Sequence, residues 1–176
     1  MVCAVVLATV GGSVAFSGAV AGTNDNLTVD PDGNADHTTI QAAVDNASDA
    51  QTVKLLPADN GYSTNVVIDK NITIVAPQGA NLTNATGDPI IKIDSDNSPI
   101  APTIRDVTLN ATGEAKALVV SSGSESKEDL SNGGDWTLNN VTINGSGAFK
   151  DVFLSGASGD WEISSSTIHN TQIRSY

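Results

Sequence analysis

The stretch "TLNNVTIN" (137–144) has a copy on each side of it, "TIRDVTLN" (103–110) before and "EISSSTIH" (162–169) after. Each copy sets an aliphatic residue, a polar pair, a small or branched residue, a threonine and a second aliphatic residue. The equivalent aliphatic pairs are Ile104 with Leu109, Leu138 with Ile143, and Ile163 with Ile168. Upstream, "GDWTL" (134–138) and "GDWEI" (159–163) extend the match, and "NITIVAP" (71–77) is a weaker copy one interval earlier. A recurrence interval between about 20 and 50 residues marks a stacked-repeat architecture. Between the copies lie "PIIKID" (89–94), "ALVVSS" (117–122) and "DVFLSG" (151–156), short apolar runs of strand character. Short strands with no helix between them predict an all-β solenoid, each coil giving two or three strands to parallel sheets. A single coil cannot bury its own apolar face, so coils stack and the end coil needs a cap.

The cap is legible at "DHTTIQAAVDNAS" (36–48), where Ile40, Ala43, Val44 and Ala47 follow the i, i+3, i+4, i+7 pattern of one helix face. The pattern predicts a helix over 38–48, opened by a capping box of Thr38 and Gln41. So short a helix is marginal in water unless its apolar face docks. The expectation is a lid on the first coil that keeps its strands from pairing with another chain.

The stretch "LTVDPDGNADHTTIQAAVDNASDAQTVKLLP" (27–57), followed by "NVVIDKNITIVAPQGA" (65–80), resembles the opening of the pectin-lyase-like, right-handed parallel β-helix proteins, including their haloarchaeal surface members. The likeness is closest over 27–80 and looser to about 170. It implies an N-terminal cap over about 27–57 and rungs over about 62–176, with the final rung left open at "TQIRSY". That fold hosts lyases, hydrolases, epimerases, binding modules and structural surface proteins, so it implies no particular activity.

The first residues read as an export signal. Residues 2–21 are apolar with small residues and end in Ala19-Val20-Ala21 before Gly22, a cleavage pattern. No Lys or Arg precedes the run, and an uncleaved anchor is the rival reading, since the run has the length needed to span a bilayer. Division into a signal peptide, 1–21, and one β-helix domain, 22–176, follows. The single cysteine, Cys3, falls within the signal, so no disulfide is expected in the domain. A formal charge of −12 excludes nucleic acid and anionic membrane as partners, because both require a basic surface. Carboxylates in excess and few lysines resemble the balance of proteins from extremely halophilic microbes. Asn-x-Ser/Thr acceptor patterns stand at Asn26, Asn46, Asn71, Asn81, Asn84, Asn110, Asn140 and Asn144. With an export signal they suit a glycosylated, extracellular or cell-surface protein.

No catalytic constellation stands out. The resemblance implies that a lyase of this fold would need calcium-holding carboxylates and a proton-abstracting Arg or Lys. Arg105 and Arg174 are the arginines at hand, and Arg105 beside Asp106 also reads as a surface ion pair. The hydrolases' Asn-Thr-Asp, Asp-Asp and Gly-His-Gly segments are missing from the sequence, and His169 reads as a turn residue. In "DPDGNAD", Asp30, Asp32, Asn34 and Asp36 alternate oxygen side chains as a calcium loop does, although the bidentate Glu of the helix-loop-helix motif is replaced by Gln41. An Asp/Gly turn explains the same residues. Asp94 and Asp96 in "IDSDN" are a weaker candidate of the same kind. Trp136 and Trp161, equivalent in the two "GDW" copies, are expected to stack about 4.8 Å apart. Facing outward they would be a platform for sugar rings. Their spacing from Leu138 and Ile163 puts them on the interior face instead.

The expectation is therefore an exported cell-surface β-helix module with a structural or glycan-binding role, able to self-associate through its open C-terminal rung. The alternative is a polysaccharide lyase or glycoside hydrolase whose catalytic rungs lie outside this sequence.

Overall fold

The computed structural model describes residues 26–84, 86–95, 98–121, 134–146, 152–155, 159–171 and 173–175. The proposed signal, residues 1–21, lies outside them. Among the described residues no helix is long and apolar enough to cross a membrane. The described residues are all-β apart from one short helix, and their strands form two parallel sheets.

The chain passes repeatedly from one sheet to the other. The larger sheet runs β1 (Leu27–Val29), β2 (Thr52–Leu55), β5 (Thr73–Asn84), β7 (Thr103–Ala111), β10 (Thr142–Asn144) and β13 (Thr167–His169). Beside this path, β3 (Tyr62–Ser63) pairs with β5, β9 (Thr137–Asn139) with β7, and β12 (Glu162–Ser164) with β9. The smaller sheet runs β4 (Val66–Ile68), β6 (Ile91–Asp94), β8 (Leu118–Ser121), β11 (Val152–Ser155) and β14 (Ile173–Ser175). Each return to a sheet adds the next parallel strand.

The register explains the sequence repeats. Ile74, Ile104, Leu138 and Ile163 stand side by side, as do Leu82, Leu109, Ile143 and Ile168. In the smaller sheet Val66, Ile91, Leu118, Val152 and Ile173 form a third column. Residues of both sheets belong to one apolar cluster, so the core lies between them. A fully buried aliphatic side chain contributes about 1.5–3 kcal/mol, and each column multiplies that term by repetition. The weakness of the copy at 71–77 has a local cause: register shifts between Val75 and Ala80, where extra residues including Gly79 at φ 80° carry β5 round a corner. Later repeats turn that corner on one left-handed residue each, Asp106 (φ 61°), Asn140 (φ 52°) and Ser165 (φ 51°). Asp and Asn tolerate this region because their short polar side chains bond locally.

The helix α1 spans Ile40–Asn46, shorter than the 38–48 expected. Its N-cap is Thr39, whose hydroxyl accepts from Ala42 N at 3.2 Å. Thr38 therefore does not cap, and Gln41 falls one position too early to close a capping box. The amide of Gln41 is used elsewhere: Val67 N donates to its Oε1 at 2.8 Å and its Nε2 donates to Val67 O at 3.3 Å. Gln41 thus acts as a one-residue strand partner on the free edge of β4. Ile40, Ala43 and Val44 are buried against β1, β2 and β4. Lys70 Nζ closes the other end, donating to Val44 O, Asp45 O and Ala47 O at 3.0–3.2 Å. A cation there also suits the negative end of the helix dipole.

Candidate functional site

The side chains that recur from repeat to repeat bond mainly to one another. On the larger sheet, Asn110 Nδ2 donates to Asn81 Oδ1, and Asn144 Nδ2 donates to Asn110 Oδ1 at 2.6 Å. At the corner, Asn140 Nδ2 donates to Asp106 Oδ1 at 2.8 Å. Asn139 Nδ2 donates to Ser164 Oγ at 2.9 Å, and Val141 N to Ser166 Oγ at 3.0 Å. Strand alternation puts these positions on the outer face while their aliphatic neighbours face inward. The ion pair expected between Arg105 and Asp106 is not made. Arg105 is exposed, and Asp106 takes Asn140 in its place.

The two tryptophans do stack, with ring centroids 5.6 Å apart and planes 10° from parallel. Their burial differs: Trp136 is 2% exposed, whereas Trp161 is 50% exposed. The interior position expected from the spacing holds for Trp136 alone. Trp161 sits beside β12, the outermost strand of its row, so its far ring face has no strand over it among the described residues. Trp136 Nε1 is buried without a hydrogen-bond partner there, a cost of about 1–3 kcal/mol. The glycines of the two "GDW" copies explain why the match extends upstream. A Cβ on Gly134 would lie 1.6 Å from Ile100 O, and one on Gly159 would lie 2.7 Å from Gly134 O. Asp160 N donates to Asp135 Oδ1 at 2.8 Å, so the aspartates also link the copies. Trp161, Ile163 and Ile173 are the large hydrophobic residues left exposed among those described, and all lie in the last repeat.

The acidic loop is built as a turn. Asp30 is buried, its Oδ1 accepting from Asp32 N at 2.9 Å and its Oδ2 from Asn34 Nδ2 at 3.1 Å. Asp36 Oδ2 accepts from Thr28 N at 2.9 Å and from Thr28 Oγ1 at 2.7 Å. These two bonds hold the Asp36 carboxyl below its ordinary value. His37 then pairs with Val29, donating to Thr28 O and accepting from Asp30 N, both at 3.0 Å. The loop folds back on the free edge of β1. Among the described residues no group of three or more His, Cys, Asp or Glu side chains converges on a metal position. Asp94 pairs with Lys92. Asp96 lies outside the described residues, and of Arg174 only the backbone, in β14, is described.

Behind the loop, Tyr62 is buried with its hydroxyl between two carbonyls, Val29 O at 2.9 Å and Leu56 O at 2.6 Å. Burial, with Asp30 nearby, pushes its phenol up to about 12. The sequence offered no signal for this residue, since its partners come from segments far apart in the chain.

No family model, curated protein or solved structure matches the chain.

Proposed function

We propose that the chain is an exported structural module of a cell surface, folded as a right-handed parallel β-helix and serving as an elongated acidic scaffold. The observation that carries this reading is the use of the recurring polar side chains within the stack: Asn81, Asn110 and Asn144 in one series, and Asp106 with Asn140 in another. These groups hold the stack in register, and apart from that of Asn81 their amide nitrogens are committed to acceptors across repeats. The pectin-lyase-like resemblance and the apolar leader support export and fold together. Calcium at Asp30, Asp32, Asn34 and Asp36 is the weaker part of this proposal, because protein donors already occupy Asp30 and Asp36.

A second reading, contact with a polysaccharide or surface glycan, is favoured by the half-exposed Trp161 ring lying parallel on Trp136. An aromatic face held rigid from behind is a suitable platform for a sugar ring. One titration separates the two readings. The tryptophan emission of the chain is followed while uronate and neutral oligosaccharides are added. The structural reading expects no change. A shift that saturates, and that disappears in Trp161→Ala, would establish the glycan-contact reading instead.

The exposed Trp161, Ile163 and Ile173 also support self-association through the last repeat. With a net charge of −12, copies repel at low salt, and screening by salt should promote the contact.

A further inference from the structure

The acceptor patterns divide sharply once the amide nitrogen of each is located. Asn84 is buried, with Nδ2 donating to Asp88 O at 3.0 Å while its Oδ1 accepts from Thr86 N and Thr86 Oγ1. Asn110 and Asn144 have Nδ2 aimed along the stack at the next asparagine. Asn140 Nδ2 holds Asp106, and Asn46 Nδ2 donates to Ala42 O at 2.8 Å in the last turn of α1. At these five positions the nitrogen that a glycan would modify already donates a hydrogen bond to a protein acceptor. At Asn26, Asn71 and Asn81 it donates to nothing among the described residues. Asn26 is exposed just before β1. Asn71 uses only its Oδ1, accepting from Ala101 N at 2.6 Å, and the exposed Asn81 uses only its Oδ1, accepting from Asn110.

We propose that Asn26, Asn71 and Asn81 are the N-glycosylation sites of the folded protein, and that the other five patterns are structural asparagines that carry no glycan. All three sites lie on or just before β1 and β5, at the α1 end of the larger sheet, so the sugars would clothe that end and leave the Trp161 end bare. The donor class is a polyprenyl-phosphate-linked oligosaccharide, supplied with its transferase by the exporting cell. In the transfer the Asn Nδ2 attacks the anomeric carbon, an N–C bond forms, the C–O bond to the lipid phosphate breaks, and the nitrogen loses one proton to a base. A sugar on Asn84, Asn110 or Asn144 would have to be accommodated where the nitrogen meets its neighbour, and such chains would not reach the folded state.

The inference rests on the export reading, so the test supplies export independently. The full chain, carrying its host's own signal peptide, is recovered from the medium of a host that N-glycosylates secreted proteins, and each site is read by peptide mass spectrometry. Recovery from the medium removes failed export as a cause of a negative result. Glycan at Asn26, Asn71 and Asn81, and at no other pattern, is expected. Occupancy at any of the other five, or none at these three, would overturn the proposal. Two variants sharpen it: Asn26→Gln should lose the mass of one glycan with an unchanged melting temperature. Asn84→Gln should keep the full glycan mass and melt earlier. A lower glycan mass in Asn84→Gln would contradict the assignment.

Discussion

Gly134 shows how a single residue fixes the approach of two repeats. A methyl group there meets the carbonyl oxygen of Ile100, which is backbone and cannot step aside. Gly134→Ala should therefore lower stability by several kcal/mol, in the range of severe packing and strain mutations, or leave no soluble protein. Gly87 is the matched control: its φ is 87° but nothing lies near its Cβ position, so Gly87→Ala should cost only the local strain of about 1–2 kcal/mol. Thermal melts of the two variants make the comparison. Tyr62 provides a second test at this scale. Its folded-state value, about 12, lies above the ordinary value of 10.0, so the unfolded chain releases the proton first as pH rises. The stability it contributes is present below pH 10 and is lost as pH climbs from 10 towards 12. Tyr62→Phe should flatten that part of the stability curve and lower stability at neutral pH by about 1 kcal/mol through the lost hydrogen bond. The "GDW" duplication was visible in the sequence. Its cause was not, because it depends on close backbone approaches, of Gly134 to Ile100 outside both copies and of Gly159 to Gly134 across 25 residues.

Both N-terminal sheet edges are closed by the segment that contains α1. His37 pairs on the edge of β1, and Gln41 presents its amide to Val67 on the edge of β4. Gln41→Leu keeps the helix face and bulk but leaves the N–H and C=O of Val67 without that partner. A loss of about 1–3 kcal/mol is expected, together with increased self-association in light scattering, since an open edge is a template for another strand. Unchanged scattering and melting would show that the amide does not protect the edge. The helix and its apolar face were readable from the spacing of Ile40, Ala43, Val44 and Ala47. The cap residue was not, because Thr38 and Thr39 offer the same hydroxyl and only the backbone at Thr39, extended at φ −131° and ψ 148°, decides between them. Nor was the role of Gln41, since its partner is 26 residues away.

At the scale of the whole molecule, the register is legible in the repeats at 103, 137 and 162, because each buried column demands the same residue class at the same place. Burial at the end of the stack was less legible. Trp136 and Trp161 occupy equivalent places, yet among the described residues only the former has neighbours on both sides, so exposure depends on position in the stack and not on local pattern. The polar candidates were the hardest to assign. Asn110 or Asn144 as a glycan acceptor and as a link between strands are one residue in sequence and two different roles in space. The central claim is that residues far apart in the chain stand in one straight column at strand spacing. Thr52, Thr73, Thr103, Thr137 and Glu162 are such a column on the larger sheet. With Cys3 replaced by Ser, spin labels at Thr52→Cys and Glu162→Cys should lie four strand spacings apart, about 19 Å between backbones at about 4.8 Å per step, in a single narrow distribution by pulsed electron resonance. A broad distribution, or one centred well beyond the reach of the label linkers from that value, would contradict the stacked-repeat account.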